Sequence, residues 1–129
     1  MLLFTTCKNM AKKTAKLSEK ECSTRLAALE DTLYVIGGKW KLKVIIALQD
    51  GGSKRFNDLQ RTVAGISARV LSNELKELEM NGFVKRNVYT QTPVVVEYEL
   101  TDYTNTLDTI LESLIEWGLK HRAKIKKLK

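Results

Sequence analysis

Residues 56–100, FNDLQRTVAGISARVLSNELKELEMNGFVKRNVYTQTPVVVEYEL, decide the fold. Phe56-Asn57-Asp58-Leu59 opens a helix that Val63-Ala64-Gly65 breaks after barely two turns. Ser67 then reads as an N-cap, its hydroxyl accepting from an otherwise unbonded amide, with Ile66 and Leu71 placed as a hydrophobic staple. Val70, Leu71, Leu75 and Leu78 keep helical spacing until Asn81-Gly82, which leaves Ser67, Arg69, Ser72, Asn73 and Lys76 on a polar, basic outer face. Beyond Gly82 the period changes to two. Val84 to Tyr89 and Val94 to Leu100 read as the strands of a hairpin whose turn is Thr90-Gln91-Thr92-Pro93. Alternation assigns Val94, Val96, Tyr98 and Leu100 to a buried face and Val95, Glu97 and Glu99 to a wet one.

Further out, Ser18-Glu19-Lys20-Glu21 has the pattern of a capping box. It opens a helix whose apolar positions Cys22, Leu26, Leu29, Leu33 and Ile36 form a narrow seam suited to a partner helix, ended by Gly37-Gly38. A core helix follows, with Trp40, Val44, Ile45 and Leu48 on one face and Asp50-Gly51-Gly52 as its stop. Thr101 is expected to cap a last helix bearing Leu107, Ile110, Leu111, Leu114, Ile115 and Trp117, an apolar face wider than a small core needs. The fold class is therefore mainly α with a small β-hairpin (α+β): two short helices, a tight glycine-containing turn and a hairpin, in the order of a winged helix-turn-helix. In that geometry the second helix enters a major groove and presents Ser67, Arg69, Ser72, Asn73 and Lys76. Lys85, Arg86 and Gln91 become wing contacts to a neighbouring minor groove or to the backbone, with Lys39, Lys41, Lys54 and Arg55 as further phosphate candidates.

At 129 residues the chain is expected to hold one domain. Its formal charge of +7 is unevenly placed: residues 1–17 carry four lysines and 119–129 carry six Lys or Arg, neither with an acid. Residues 18–118 hold 12 basic and 15 acidic side chains, a net of −3. Within them, residues 37–93 carry ten basic and five acidic groups, and 94–118 six acidic and no basic ones. The middle segment is the candidate binding face. The longest apolar run, Val44 to Leu48, is far short of the ~20 residues that span a bilayer, and Met1 to Phe4 make no signal peptide, so the cytoplasm is the expected compartment. Cys7 and Cys22 are read as thiols, and Met10 is a second candidate start for translation. A catalytic reading would need a cysteine activated by His121, the one histidine. The spacing does not support it, and neither a phosphate-binding glycine loop nor metal-ligand spacing is found. No enzyme, cofactor or metal is expected.

The segments VIGGKWKLKVIIAL (35–48), RFNDLQ (55–60), GISARVLSNELKELEMNGFVKR (65–86) and VYTQTPVVVEYELT (88–101) together resemble the HxlR family of bacterial transcriptional regulators, which is MarR-like. The resemblance runs from about Leu29 to Trp117. It implies a homodimer paired through its first and last helices on a pseudo-palindromic operator in double-stranded DNA, often with a cysteine that senses oxidants or electrophiles. Arg69 matches the family's basic position in the recognition helix. The family's sensing cysteine usually lies about ten residues before the glycine pair, where this chain has Ala27, whereas Cys22 is fifteen residues before Gly37. The resulting division is a flexible basic tail (1–17), an HxlR-type winged helix-turn-helix domain (18–118) and a basic end of the last helix or tail (119–129). The expected dimer contacts are Leu26, Leu29, Leu33, Leu107, Ile110, Leu111, Leu114 and Trp117. Cys22 is the redox candidate, and a small-molecule effector is admitted without being identified. The alternative is a winged helix that binds protein instead of DNA, which the net-acidic body keeps open.

Overall fold

The computed structural model describes residues 19–128; the basic tail, Cys7, Met10 and the capping-box Ser18 lie outside the described residues. The chain divides into two compact units, one ending at Leu42 and one beginning at Lys43.

Among the described residues of the first unit, helix α1 spans Glu19–Ile36. Glu19 and Glu21 in its first turn offset the positive end of the helix dipole. It ends where the Gly37 amide donates to the Leu33 carbonyl at 2.8 Å. A Cβ at Gly37 would lie 2.1 Å from that same oxygen, so the chain can leave the helix along this path only with glycine there. Ile36 is buried, while Leu26, Leu29, Leu33 and Tyr34 are exposed. Cys22 is half-buried and disulfide-bonded, which corrects the expectation of a thiol.

Helix α2, Lys41–Gly51, carries the chain into the second unit. There Val44, Ile45 and Leu48 join Leu59 of α3 (Phe56–Thr62), Ile66 of the turn, and Leu71, Leu75 and Leu78 of α4 (Ala68–Met80) in the core. Each fully buried Leu or Ile contributes about 1.5–3 kcal/mol over an exposed one. Strands β2 (Val84–Tyr89) and β3 (Val95–Leu100) form the expected hairpin. A third strand was not expected: Lys54–Arg55 (β1) pairs antiparallel with β3, giving the order β1-β3-β2. Two residues are too short to show any alternation.

The pattern in β3 is corrected. Val95 is buried and Val94 exposed, because pairing starts at Tyr89↔Val95 and leaves Val94 in the turn. As the central strand, β3 is then half-covered on both faces from Val96 to Leu100. Thr101 does not cap the last helix. Its hydroxyl donates to the Gly82 carbonyl, a 3-10 helix (Asp102–Leu107) intervenes, and α5 runs from Asp108 to Leu128. The carbonyl of Gly82, in the turn after α4, takes up the Thr101 hydroxyl.

Thr104 is buried and donates to the Phe83 carbonyl at 2.5 Å, an oxygen that also accepts the Thr101 amide at 3.1 Å. Thr104→Val therefore removes this donor and the 3.3 Å contact with the Thr101 hydroxyl without orphaning the Phe83 carbonyl, and the expected loss is about 1 kcal/mol. The exposed Thr106→Val should stay within about 0.5 kcal/mol of the parent. Urea midpoints of the two variants check this; equal midpoints would show that the buried hydroxyl contributes nothing.

Candidate nucleic-acid interface

Local chemistry fixes the start of α4. Ser67 has extended backbone (φ −81°, ψ 159°) and its hydroxyl accepts the Val70 amide at 3.2 Å, the capping expected from the sequence. The turn before it is closed by the Ile66 amide on the Val63 carbonyl at 3.3 Å, and the Gln60 side-chain amide donates to the Ile66 carbonyl at 3.4 Å. With Leu71, Leu75 and Leu78 buried, the helix turns Arg69, Asn73 and Lys76 to solvent, and Ser72 is half-buried at the edge of that face. The first turn of α4 contains no acid. Arg69 therefore adds its charge to the positive end of the dipole, an arrangement that disfavours the helix alone and favours an anion in front of it.

The two wing cations separate. Register places Lys85 opposite Glu99 and Arg86 opposite Tyr98, and successive residues of a strand point to opposite faces. Arg86 shares its face with the buried Val84, whereas Lys85 shares one with Asn87, whose amide donates to Glu99 at 2.5 Å. Arg86 thus lies beside α4: a cleft of about 280 Å³ is lined by Ser72, Leu75, Lys76 and Glu79 of α4, Arg86 of β2 and Tyr98 of β3. Gln91 is exposed in the hairpin turn.

The remaining phosphate candidates do not join this group. Lys41 is buried and engaged in a contact of its own, which corrects its place among them. Lys39 holds its ammonium 4.8 Å from the centre of the Trp40 ring. Lys54 is half-buried, and its Nζ would lie 2.3 Å from a Cβ added at Gly51, so its charge sits by the carboxyl end of α2 where the dipole favours a cation. Arg55 is exposed opposite Glu97. Among the expected dimer contacts, Leu107 and Leu111 are corrected: both are buried in the second unit's own core. Leu26, Leu29, Leu33, Ile110, Leu114 and Trp117 remain exposed, and Trp117 stacks on His121 with ring centres 4.9 Å apart. Tyr98 and Glu79 were missed. Tyr98 was read as core from alternation within one strand, and only cross-strand register reveals its place beside Arg86.

Against this geometry, the sequence model of the HxlR-like helix-turn-helix family matches residues 35–126. The HTH-type transcriptional regulator BH0655 of Halalkalibacterium halodurans, itself uncharacterized, is 50% identical over 91 residues, covering 70% of this chain and 80% of that protein. Among solved structures, the redox regulator HypR in its oxidized form is similar with a TM-score of 0.67 at 45% identity, over 72% of this chain and 95% of that one. The crystal structure of the HTH-type regulator ytcD gives 0.71 at 43% identity, over 74% and 96%.

Ser67→Ala removes the cap and is expected to lower stability by about 1 kcal/mol, with Ser67→Asp restoring it. Thermal unfolding of the three proteins reads this directly; an Ala variant as stable as the parent would mean that the 3.2 Å contact does not fix the start of the helix.

Proposed function

The chain belongs to the HxlR-like helix-turn-helix family, and on that premise we propose that it is a sequence-specific DNA-binding transcriptional regulator, not an enzyme, that acts as a homodimer on a pseudo-palindromic operator. The observation that carries this is the amino-terminal half of α4, where Ser67 caps the helix and Arg69 and Asn73 stand exposed with no acid in the first turn. Arginine can donate a fork of two hydrogen bonds to guanine, and the side-chain amide of asparagine can pair with adenine, so the two supply direct readout at a major-groove edge. The wing adds contacts that carry no sequence information.

Homodimerisation draws support from the apolar side chains left in water. Leu26, Leu29 and Leu33 recur along α1 at the spacing of a helix-pairing seam, and Ile110, Leu114 and Trp117 do so along α5. Exposed apolar surface of this extent marks an interface more often than a free surface. Two copies would then present two α4 helices to half-sites about one helical turn of DNA apart. Response to oxidants or electrophiles is the regulatory part of the proposal. It is supported by the redox regulator HypR among the similar structures and by the disulfide-bonded Cys22 on the same helix as the α1 seam. A change of bonding at Cys22 would reach the operator through the spacing of the paired helices.

The protein-binding alternative draws on the net charge of −3 over residues 18–118. Salt separates the two readings, because DNA binding releases counterions from each neutralised phosphate.

Selection of duplexes from a random pool is the primary test. Affinity for the selected duplex should fall steeply with salt, and Arg69→Ala should cost about 1–3 kcal/mol of specific binding while relaxing preference at one position per half-site. Failure to enrich any sequence would overturn the reading. Sedimentation at micromolar concentration should show a dimer; a monomer with unchanged helix content would remove the α1 and α5 interface. After reduction of the Cys22 disulfide, reoxidation with diamide should weaken binding by the wild type and not by Cys22→Ser, and an equal response in both would remove Cys22 as the switch.

A further inference from the structure

The cleft between α4 and the hairpin has a cation on each wall, Lys76 on α4 and Arg86 on β2, with Glu79 as its one acid. Ser72, Lys76 and Glu79 follow one another at intervals of four and three along one stripe of α4, and Arg86 and Tyr98 face them as direct cross-strand neighbours. Among the described residues neither Lys76 nor Arg86 is held in an ion pair. Leu75, nearly fully buried, forms the apolar floor.

Groove geometry says what lies there when DNA is bound. If α4 occupies a major groove and the hairpin reaches the neighbouring minor groove, the wall between the two grooves is a single sugar-phosphate strand. That strand has to cross the space between α4 and the β2–β3 hairpin, and the cleft is that space. We propose, on the DNA-binding reading above, that this cleft is a clamp for one backbone phosphate of the duplex. Lys76 and Arg86 approach the phosphate from opposite walls, and the hydroxyls of Ser72 and Tyr98 donate to its oxygens. Glu79 is the opposing element: its carboxylate on the rim repels the same group and limits affinity that carries no sequence information. Arg86 is then half of a two-walled site with the recognition helix, and not an independent wing contact like Lys85. Tyr98 becomes a binding residue.

A shared phosphate has a thermodynamic signature that separate contacts lack. Each neutralised phosphate contributes about 0.9 to the slope of log affinity against log salt. If Lys76 and Arg86 serve one phosphate, removing both should lower the slope by about 0.9, whereas two separate phosphates would lower it by about 1.8. Their effects on affinity should also fall short of additivity.

The experiment uses full-length Lys76→Gln, Arg86→Gln, the double variant, Tyr98→Phe and Glu79→Gln, with a duplex selected from a random pool by the wild type. The same duplex is also prepared with one neutral methylphosphonate at each backbone position in turn. Expected results are a slope loss near that of one phosphate in the double variant, a several-fold loss for Tyr98→Phe, and tighter binding by Glu79→Gln. A gain of affinity cannot come from a folding defect. A methylphosphonate at one position per half-site should weaken the wild type and leave the double variant unaffected. Additive single effects with the larger slope change, or no methylphosphonate position that distinguishes the two proteins, would overturn the clamp. Inorganic phosphate should displace the duplex no better than chloride at equal ionic strength; stronger displacement, lost in the double variant, would assign the cleft to a free anion and overturn it as well. If the wild type selects no duplex, the DNA-binding reading itself fails, an outcome distinct from each of these.

Discussion

The position of the hairpin relative to α4 depends on how the chain turns at Asn81-Gly82-Phe83. The Phe83 amide donates back to the Leu78 carbonyl at 2.9 Å and the Gly82 amide to the Glu79 carbonyl at 3.1 Å, with Gly82 at φ +84°. This is the Schellman arrangement, and it requires a left-handed residue at the position glycine holds. Its hydrophobic pair is Leu78 with Phe83, both buried. The two carbonyls that follow are taken by the far end of the hairpin: Gly82 accepts the Thr101 hydroxyl, and Phe83 accepts the Thr101 amide and the Thr104 hydroxyl. The end of α4, the start of β2 and the exit from β3 are therefore tied together at Gly82 and Phe83. The hairpin can only run back alongside α4, which sets Arg86 next to Ser72 and Lys76.

That tie explains why adjacent cations have different surroundings. Lys85 and Arg86 are indistinguishable by composition, yet pairing turns one towards Glu99 and the other towards the recognition helix. On the first face, Asn87 donates to Glu99 and Ser53 to Glu97, so the carboxylates of residues 94–118 are partly satisfied by neutral donors from neighbouring strands and loops. On the second, the charge is predominantly positive. A one-residue slip in register would exchange the two faces and place carboxylates beside α4. Register, more than the number of lysines and arginines, decides whether this surface suits a polyanion.

The elements that announce themselves through local chemistry were legible in the sequence. Ser67 capping α4, Asn81-Gly82 ending it and Gly37 ending α1 each follow from backbone groups that must be satisfied within a few residues. What was not legible depends on partners distant in the chain. Strand β1 exists because Lys54 and Arg55 lie beside Tyr98 and Glu97, and two residues cannot display a period. Val94 and Val95 exchanged roles because the hairpin starts pairing at Val95. Thr101 looked like a cap, but the carbonyl of Gly82, nineteen residues earlier, took its hydroxyl. For the recognition helix, the residue types were readable from α4 alone, while Tyr98 and Glu79 needed the tertiary arrangement. Lys41 shows the opposite error: a lysine in a basic stretch that the fold buries.

Helix α5 accounts for a wide apolar face that serves two purposes. Leu107, just before it, and Leu111 are one turn apart and buried in the second unit. Ile110 and Leu114 repeat the same spacing three residues further on, roughly 60° around the axis at 100° per residue, and both are exposed. A single amphipathic stripe would need only the first pair. The second continues through Trp117, stacked on His121, so the exposed stripe outlasts the core-facing one along a helix of 21 residues, about 32 Å. Because Leu111 anchors the helix from the inside, the exposed stripe is not free to rotate away from its position. Any surface that covers it is thereby held in a fixed relation to the core on which α4 is packed. A rigid link of this kind couples whatever packs on the α5 stripe to the position of α4, and it is already present in one copy of the chain.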